Sequence, residues 1–103
     1  MSESTNAGYE LLPGVKLRGL PDLGCLMAFS PEQPRIQWFN TKAWLILELA
    51  RHRPASELTE AYAEAVAETT GRQEAEHELQ EGLRALLAHQ ILRPVADPGT
   101  WVR

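Results

Sequence analysis

The sequence predicts an α+β domain in which a three-stranded antiparallel sheet precedes three helices. Glycine and proline interrupt the chain repeatedly up to Pro34, apolar and polar residues alternate between these breaks, and the apolar period becomes helical after Asn40. A chain of 103 residues has room for one domain with a modest core. We expect residues 1–8, which are mostly polar, to be disordered, residues 9–95 to form the domain, and residues 96–103 to be a tail.

The first third of the chain is predicted to form three short strands joined by tight turns. Its glycines and prolines are too closely spaced for a helix of several turns. The apolar stretches between them are residues 15–20, 25–29 and 35–39. In the first stretch Val15 and Leu17 alternate with Lys16 and Arg18, which is typical of a half-buried strand. The pattern therefore predicts a meander.

The first helix is predicted to begin abruptly after Asn40. Asn is a favoured N-cap residue, and Phe39 is placed to pack on Trp44, four residues into the helix, as a hydrophobic staple. The basic residues 51–53 suit a helix C-terminus, and Pro54 ends the helix.

Two further amphipathic helices are predicted downstream. The second has Ser56 as its expected N-cap and ends at Gly71, and the third covers residues 73–89. The third helix has apolar or small residues at intervals of three and four: Ala75, Leu79, Gly82, Leu83, Leu86 and Leu87. Residues 91–95 are expected to be a short extended piece.

The charge of the chain argues against nucleic acid as a partner. The formal net charge is -4, and only two residues are lysine, whereas phosphate binding requires clustered basic groups. Residues 55–82 contain eight glutamates and, among Lys and Arg, only Arg72. This acidic stretch is either a solvated helix face or an acidic docking patch.

The sequence also favours a cytoplasmic protein. Cys25 is the only cysteine, so an internal disulfide is impossible and a reducing compartment fits best. The first residues lack the basic start and apolar core of a signal peptide. No apolar run approaches the roughly 18 residues of a membrane-spanning helix, so no membrane association is expected.

A search for catalytic groups indicates a protein that is not an enzyme. The three histidines do not share metal-ligand spacing, Cys25 lies in an apolar strand, and no phosphate-binding glycine motif is present. The glutamates of the third helix are expected to be exposed, where nothing raises their pKa. We therefore expect no catalytic residue, no metal site and no cofactor, and a binding function instead.

Two motifs resemble those of one known family. The stretch LLPGVKLRG matches an "LxPGVxLR" opening at Leu11, Pro13, Gly14, Val15, Leu17 and Arg18. The stretch FNTKAWLILELA matches a strand-to-helix signature at Phe39, Asn40, Thr41, Ala43, Leu47, Glu48 and Leu49. The order and spacing of these motifs over residues 9–95 resemble the PqqD-like proteins, also called RiPP recognition elements.

This resemblance implies a winged-helix-like, non-catalytic domain that binds the leader segment of a ribosomally made precursor peptide. Its partners would be that precursor and a peptide-modifying enzyme, such as a radical S-adenosylmethionine protein or another tailoring enzyme. The leader would lie as an added strand beside the third strand, in a groove closed by the third helix. An open strand edge offers the backbone groups for such pairing.

The candidate peptide-binding residues lie on the third strand and the third helix. They are Arg35, Ile36, Gln37, Trp38, Phe39, Glu76, Leu79, Gln80, Leu83, Arg84 and Leu87. The alternative for Ile36, Trp38, Leu83 and Leu87 is that these residues are simply core.

Three other functions remain open at this point. A winged-helix DNA-binding regulator would share the fold outline, but the third helix carries four glutamates against Arg84. The others are a chaperone for a quinone-type cofactor product and a structural subunit of an enzyme. An exposed strand edge also permits either a monomer or a homodimer.

Overall fold

The computed structural model describes residues 8–95 and confirms the α+β class. Its elements in chain order are β1 (Gly8–Leu11), β2 (Lys16–Leu20), β3 (Cys25–Ser30), β4 (Gln33–Asn40), α1 (Thr41–His52), α2 (Leu58–Ala65), α3 (Arg72–Ala88) and β5 (Leu92–Val95). Short 3-10 turns occupy Pro21–Leu23 and Ala55–Glu57. The three predicted strands are β2, β3 and β4.

The main sheet is the predicted antiparallel meander, with strand order β2-β3-β4. Leu26 pairs with Gly19 on one side and with Phe39 on the other. Along β3, Leu26, Ala28 and Ser30 are buried while the alternate residues are only half-buried. One face of the sheet therefore covers the core, and we call the opposite face the outer face.

A second, two-stranded sheet was not predicted as a sheet. β5 confirms the expected extended piece, but it pairs antiparallel with β1, so that Gly8 lies opposite Val95. Arg93 and Glu10, which are paired across this sheet, also form a salt bridge. Of the segment expected to be disordered, only Gly8 belongs to the described residues, and it lies in β1. Residues 1–7 and the expected tail 96–103 lie outside them.

The junction between β4 and α1 contains the predicted N-cap. The Asn40 side-chain oxygen accepts a hydrogen bond from the Ala43 backbone N–H at 2.8 Å. The Trp44 indole covers Gly19 of β2, where an added Cβ would lie 2.3 Å from the ring. The Phe39 ring meets His89 edge-on, with ring centroids 5.9 Å apart. The staple between Phe39 and Trp44 stays a prediction.

The second helix differs from its prediction at both ends. Ser56 is not its N-cap, because the residue falls in a 3-10 turn and no side chain caps α2. The helix ends at Ala65 instead of continuing to Gly71. The N–H groups of Thr69 and Thr70 both bond to the Val66 carbonyl, which makes a turn. The N–H groups of Ala67 and Thr69 bond three residues back, so the α-helical pattern gives way to turns ahead of the poor helix-forming sequence Thr-Thr-Gly.

The core lies between the inner sheet face and the three helices. The buried residues of α3 are Ala75, Leu79, Leu83 and Leu86, which belong to the predicted apolar stripe. They join Ile46, Leu47 and Ala50 of α1 and Leu58 and Tyr62 of α2 in one cluster with Leu26, Ala28 and Phe39 of the sheet. Within residues 8–95, none of the helices is long and apolar enough to cross a membrane.

Candidate functional site

Within residues 8–95, one edge of β4 is open. In the part of the chain that the structure describes, β4 pairs with β3 on one side, and no strand pairs with it on the other. The pairing is regular from Asn40 to Ile36 and shifts near Ser30, where a bulge interrupts the hairpin end. An open edge presents backbone N–H and C=O groups to which an extended peptide can bind.

The side chains of β4 alternate sharply near this edge. Phe39 is buried against the core, whereas Trp38 is 59% exposed and Ile36 is 51% exposed. Gln37 is half-buried on the same side as Phe39. The sequence pattern left the orientation of these residues open, and the structure assigns Ile36 and Trp38 to the outer face rather than to the core.

A groove of about 460 Å³ lies where the C-terminal end of β4 meets α1 and α3. Trp38, Phe39 and Asn40 border it on the strand. Its remaining lining residues come from the two helices: Lys42, Ala43, Ile46, His77, Glu78, Glu81, Gly82 and Ala85. The small residues Ala43 and Ala85 leave space that larger side chains would fill.

Gly82 permits the close approach of α3 to α1 beside the groove. A Cβ atom at this position would lie 2.5 Å from the Ile46 Cδ1 atom, well inside normal contact distance. Glycine within a helix costs about 1 kcal/mol relative to alanine. The contact with Ile46 gives a packing reason for a residue that helix propensity alone disfavours.

Two hydrogen bonds tie the C-terminal end of α3 to the β3–β4 hairpin. The Gln33 side-chain amide donates to the Ala88 carbonyl at 3.0 Å. The buried Ser30 hydroxyl donates to the Gln90 carbonyl at 2.8 Å. These bonds, with the contact of Phe39 on His89, hold α3 in a fixed position relative to the hairpin that contains β4.

The charges at the groove are largely paired. Lys42 contacts Glu78 at 2.7 Å, and the Tyr62 hydroxyl donates to the other Glu78 oxygen at 2.8 Å. The hydrogen bond from Lys42, followed by that from Tyr62, lowers the pKa of Glu78. Burial, followed by the hydrogen bond to Glu78, raises the pKa of Tyr62. Glu81 is paired with Arg84 at 3.1 Å. Glu78 is therefore a carboxylate at neutral pH, held by two partners.

The structure brings only part of the predicted site to this groove. Trp38 and Phe39 line it, while Arg35, Ile36 and Gln37 lie further along β4. On α3, Leu79 and Leu83 are buried in the core, and Glu76 is exposed on the face with Thr59 and Gln73. A separate depression of about 500 Å³ is lined by Tyr9, Gln80, Leu83, Arg84, Leu87 and Ala88. A peptide-binding role for the α3 residues away from the groove stays a prediction.

Sequence reasoning missed the α3 residues that border the groove, which are His77, Glu78, Glu81, Gly82 and Ala85. The buried stripe of an amphipathic helix has two flanks, and its period does not say which flank faces a given strand. The sequence contained one indication of which flank borders the groove: the small residues Gly82 and Ala85 are three positions apart and so lie on the same side of the helix.

The described residues contain no group of three or more His, Cys, Asp or Glu side chains that could hold a metal ion. Cys25 is half-buried on the outer face, opposite Asn40. No protein-family model, curated protein or solved structure matches the chain.

Proposed function

We propose that this protein is a cytoplasmic, non-catalytic recognition element that binds the leader segment of a ribosomally synthesised precursor peptide and delivers it to a modifying enzyme. The observation that carries the proposal is the open edge of β4 beside the groove between α1 and α3. The two motifs that resemble the PqqD-like proteins support the same function.

The leader is proposed to bind as an added strand along β4. Its backbone would pair with the open edge, which supplies affinity that depends little on sequence. Alternate side chains of the leader would lie next to Ile36 and Trp38 on the outer face, and the others would point towards the groove. Apolar neighbours on the outer face and a confined groove on the other side would then supply the selectivity.

The charge distribution favours this reading over a DNA-binding regulator. The exposed face of α3 presents Glu74, Glu76 and Glu81, which would repel a phosphate backbone. DNA binding would require a basic helix at this place, whereas binding of an extended peptide does not.

The first test uses leader peptides whose backbone is N-methylated at alternate residues. We expect the precursor to be encoded by a short open reading frame beside the gene, and the leader peptide is taken from that sequence. In an antiparallel or parallel pair, an added strand uses the N–H groups of alternate residues, and the others point away from the partner. We expect methylation of one set to abolish binding and methylation of the other set to leave affinity unchanged, as measured by Trp38 fluorescence or calorimetry.

The unmodified leader is expected to bind with a Kd near micromolar, about -8 kcal/mol. A Trp38→Phe variant that still binds the leader by calorimetry is expected to lose the fluorescence change, which checks that the signal comes from Trp38 rather than from Trp44 or Trp101. Equal loss of affinity for both methylated sets would mean that the peptide does not bind as a strand.

The second test asks whether binding serves modification. We expect a modifying enzyme to be encoded beside the precursor. That enzyme and the full-length precursor are mixed with and without this protein, and the assay is repeated with the leader deleted. Holding both partners raises their effective concentration, so the gain is expected at low precursor concentration and is expected to fade when precursor is abundant. Equal product under all conditions would leave a structural subunit as the better explanation.

A further inference from the structure

The outer face of the main sheet is an apolar surface without a cover among the described residues. Because β2, β3 and β4 pair in register, its side chains form two rows across the strands. One row is Lys16, Phe29 and Ile36, and the other is Arg18, Met27 and Trp38. Each row begins with a cation on β2 and continues with apolar groups on β3 and β4.

The apolar residues of these rows are exposed together, whereas exposed apolar residues on a protein surface are normally isolated. Ile36 and Trp38 are more than half exposed, and Met27 and Phe29 beside them are half-buried. The third large hydrophobic residue that is exposed in the described chain, Leu23 at 72%, lies in the turn between β2 and β3. Met27, Phe29, Ile36 and Trp38 are cross-strand neighbours, and contiguous exposed apolar groups of this kind mark interaction surfaces.

The cations of this face are also without partners. Among the Lys and Arg side chains of residues 8–95, six form salt bridges with glutamates: Lys42, Arg51, Arg53, Arg72, Arg84 and Arg93. The remaining three, Lys16, Arg18 and Arg35, all belong to the strand region and lack such a partner among the described residues. The uncompensated positive charge of the domain is thus confined to the sheet.

We propose that the outer face is a second protein-binding surface, which takes a partner segment whose apolar side chains are flanked along one side by carboxylates. The apolar side chains of the partner would cover Met27, Phe29 and Ile36, and its carboxylates would meet Lys16 and Arg18. A helix packed across a sheet face has this geometry. The acidic helix layer on the other side of the domain would repel the same partner and so orient its approach.

A second copy of this chain fits the face less well. The outer-face residues of β2, β3 and β4 include two cations and no carboxylate, so two outer faces brought together would offer no charge pairs. The outer face shares Ile36 with the leader-binding surface, but its two cations are separate from the leader edge. Lys16 and Arg18 lie on β2, two strands from the open edge of β4, or about 10 Å away.

The test uses two synthetic helical peptides with one shared stripe of leucines, flanked by glutamates in one peptide and by lysines in the other. Each is titrated into the isotope-labelled protein and followed by NMR. We expect the glutamate peptide to shift the signals of Arg18, Met27 and Phe29 and to bind roughly tenfold more tightly than the lysine peptide, less so at high salt.

Charge reversal then tests the role of the two cations. The Lys16→Glu/Arg18→Glu variant is expected to reverse the preference between the peptides. The matched control is Arg51→Glu/Arg53→Glu, which changes the net charge equally but at the end of α1. It is expected to keep the preference of the original protein.

Leader affinity is measured on the same variants, so that failure of the outer-face proposal is distinguished from failure of the leader-binding proposal. We expect Lys16→Glu/Arg18→Glu to bind the leader unchanged. The proposal is overturned by equal binding of the two peptides or by no binding of either. It is also overturned if outer-face signals depend on protein concentration, which indicates a second copy, or if deletion of residues 96–103 shifts them, which indicates a cover from the chain itself.

Discussion

At the scale of single residues, Gln90 is the only non-glycine residue of the described chain with a positive φ. Its φ of 59° is left-handed, the conformation that glycine adopts most readily. The residue follows α3 in a Schellman arrangement, with the Ile91 N–H bonded to the Leu86 carbonyl at 3.0 Å and the Gln90 N–H bonded to the Leu87 carbonyl at 3.1 Å. Its own carbonyl accepts the Ser30 hydroxyl. The turn is therefore fixed by backbone contacts rather than by the side chain.

We predict that Gln90→Gly raises the free energy of unfolding by about 1 kcal/mol, because it removes the steric cost of a Cβ atom in this conformation. Urea unfolding measures the change. Gln90→Ala retains the Cβ atom and is expected to change stability by no more than a few tenths of a kcal/mol. Similar stabilisation by Ala and Gly would mean that the glutamine side chain, not the backbone, is the source of strain.

At the scale of secondary structure elements, α3 presents two flanks to two different depressions. Ala85 faces the groove beside β4, and Ala88 faces the depression that includes Tyr9. The sequence favoured the second flank for peptide binding, because Gln80, Leu83, Arg84 and Leu87 follow the apolar stripe. The two alanines make it possible to test each flank with the same substitution.

We predict that Ala85→Phe weakens leader binding at least tenfold, about 1.4 kcal/mol, because the ring fills the groove. Ala88→Phe adds the same ring on the other flank and is expected to leave the affinity unchanged. Calorimetry gives the affinities, and circular dichroism checks that both variants fold. The opposite pattern would assign the leader to the flank that the sequence favoured.

The same elements show which features were predictable. The meander, the cap at Asn40 and the buried stripe of α3 follow from local patterns, because turn residues, cap chemistry and apolar period act within a few positions. The pairing of β1 with β5 joins residues more than eighty positions apart, and neither short strand has a strong pattern of its own. The end of α2 at Ala65 was missed because its apolar period continues to Val66 and Thr69, whereas the N–H groups of Ala67 and Thr69 bond three residues back instead of four. The groove depends on which flank of α3 faces β4, which is decided by packing.

At the scale of the whole molecule, one carboxylate joins the three helices. Glu78 of α3 accepts hydrogen bonds from Lys42 of α1 and from the buried Tyr62 of α2. Because its pKa is lowered in the folded state, Glu78 contributes stability above its unfolded pKa, and this contribution is lost as the pH falls through the folded pKa. Because the pKa of Tyr62 is raised, its contribution is present below the unfolded pKa and is lost as the pH rises above it.

We predict that the free energy of unfolding falls on both sides of neutral pH through this network. The acidic decrease begins near the ordinary glutamate pKa of 4.5, and the alkaline decrease begins near the ordinary tyrosine pKa of 10.0. Glu78→Gln should make the acidic decrease shallower, and Tyr62→Phe should make the alkaline decrease shallower. Urea unfolding across the pH range measures both. Variants whose curves run parallel to that of the original protein would show that other groups are responsible.

The pairing of β1 with β5 brings the two ends of the described domain together, so that the domain can be inserted into another protein as a unit. Gly8 and Val95 are cross-strand partners, so their Cα atoms lie only about 5 Å apart. A unit whose entry and exit points are neighbours can be spliced into a surface loop of another protein, because the host chain needs to span only that gap. It can equally be cut at a turn such as the one before β4 and closed by a short linker between Gly8 and Val95. A host enzyme carrying this domain in a loop would contain the proposed leader-binding module within its own chain.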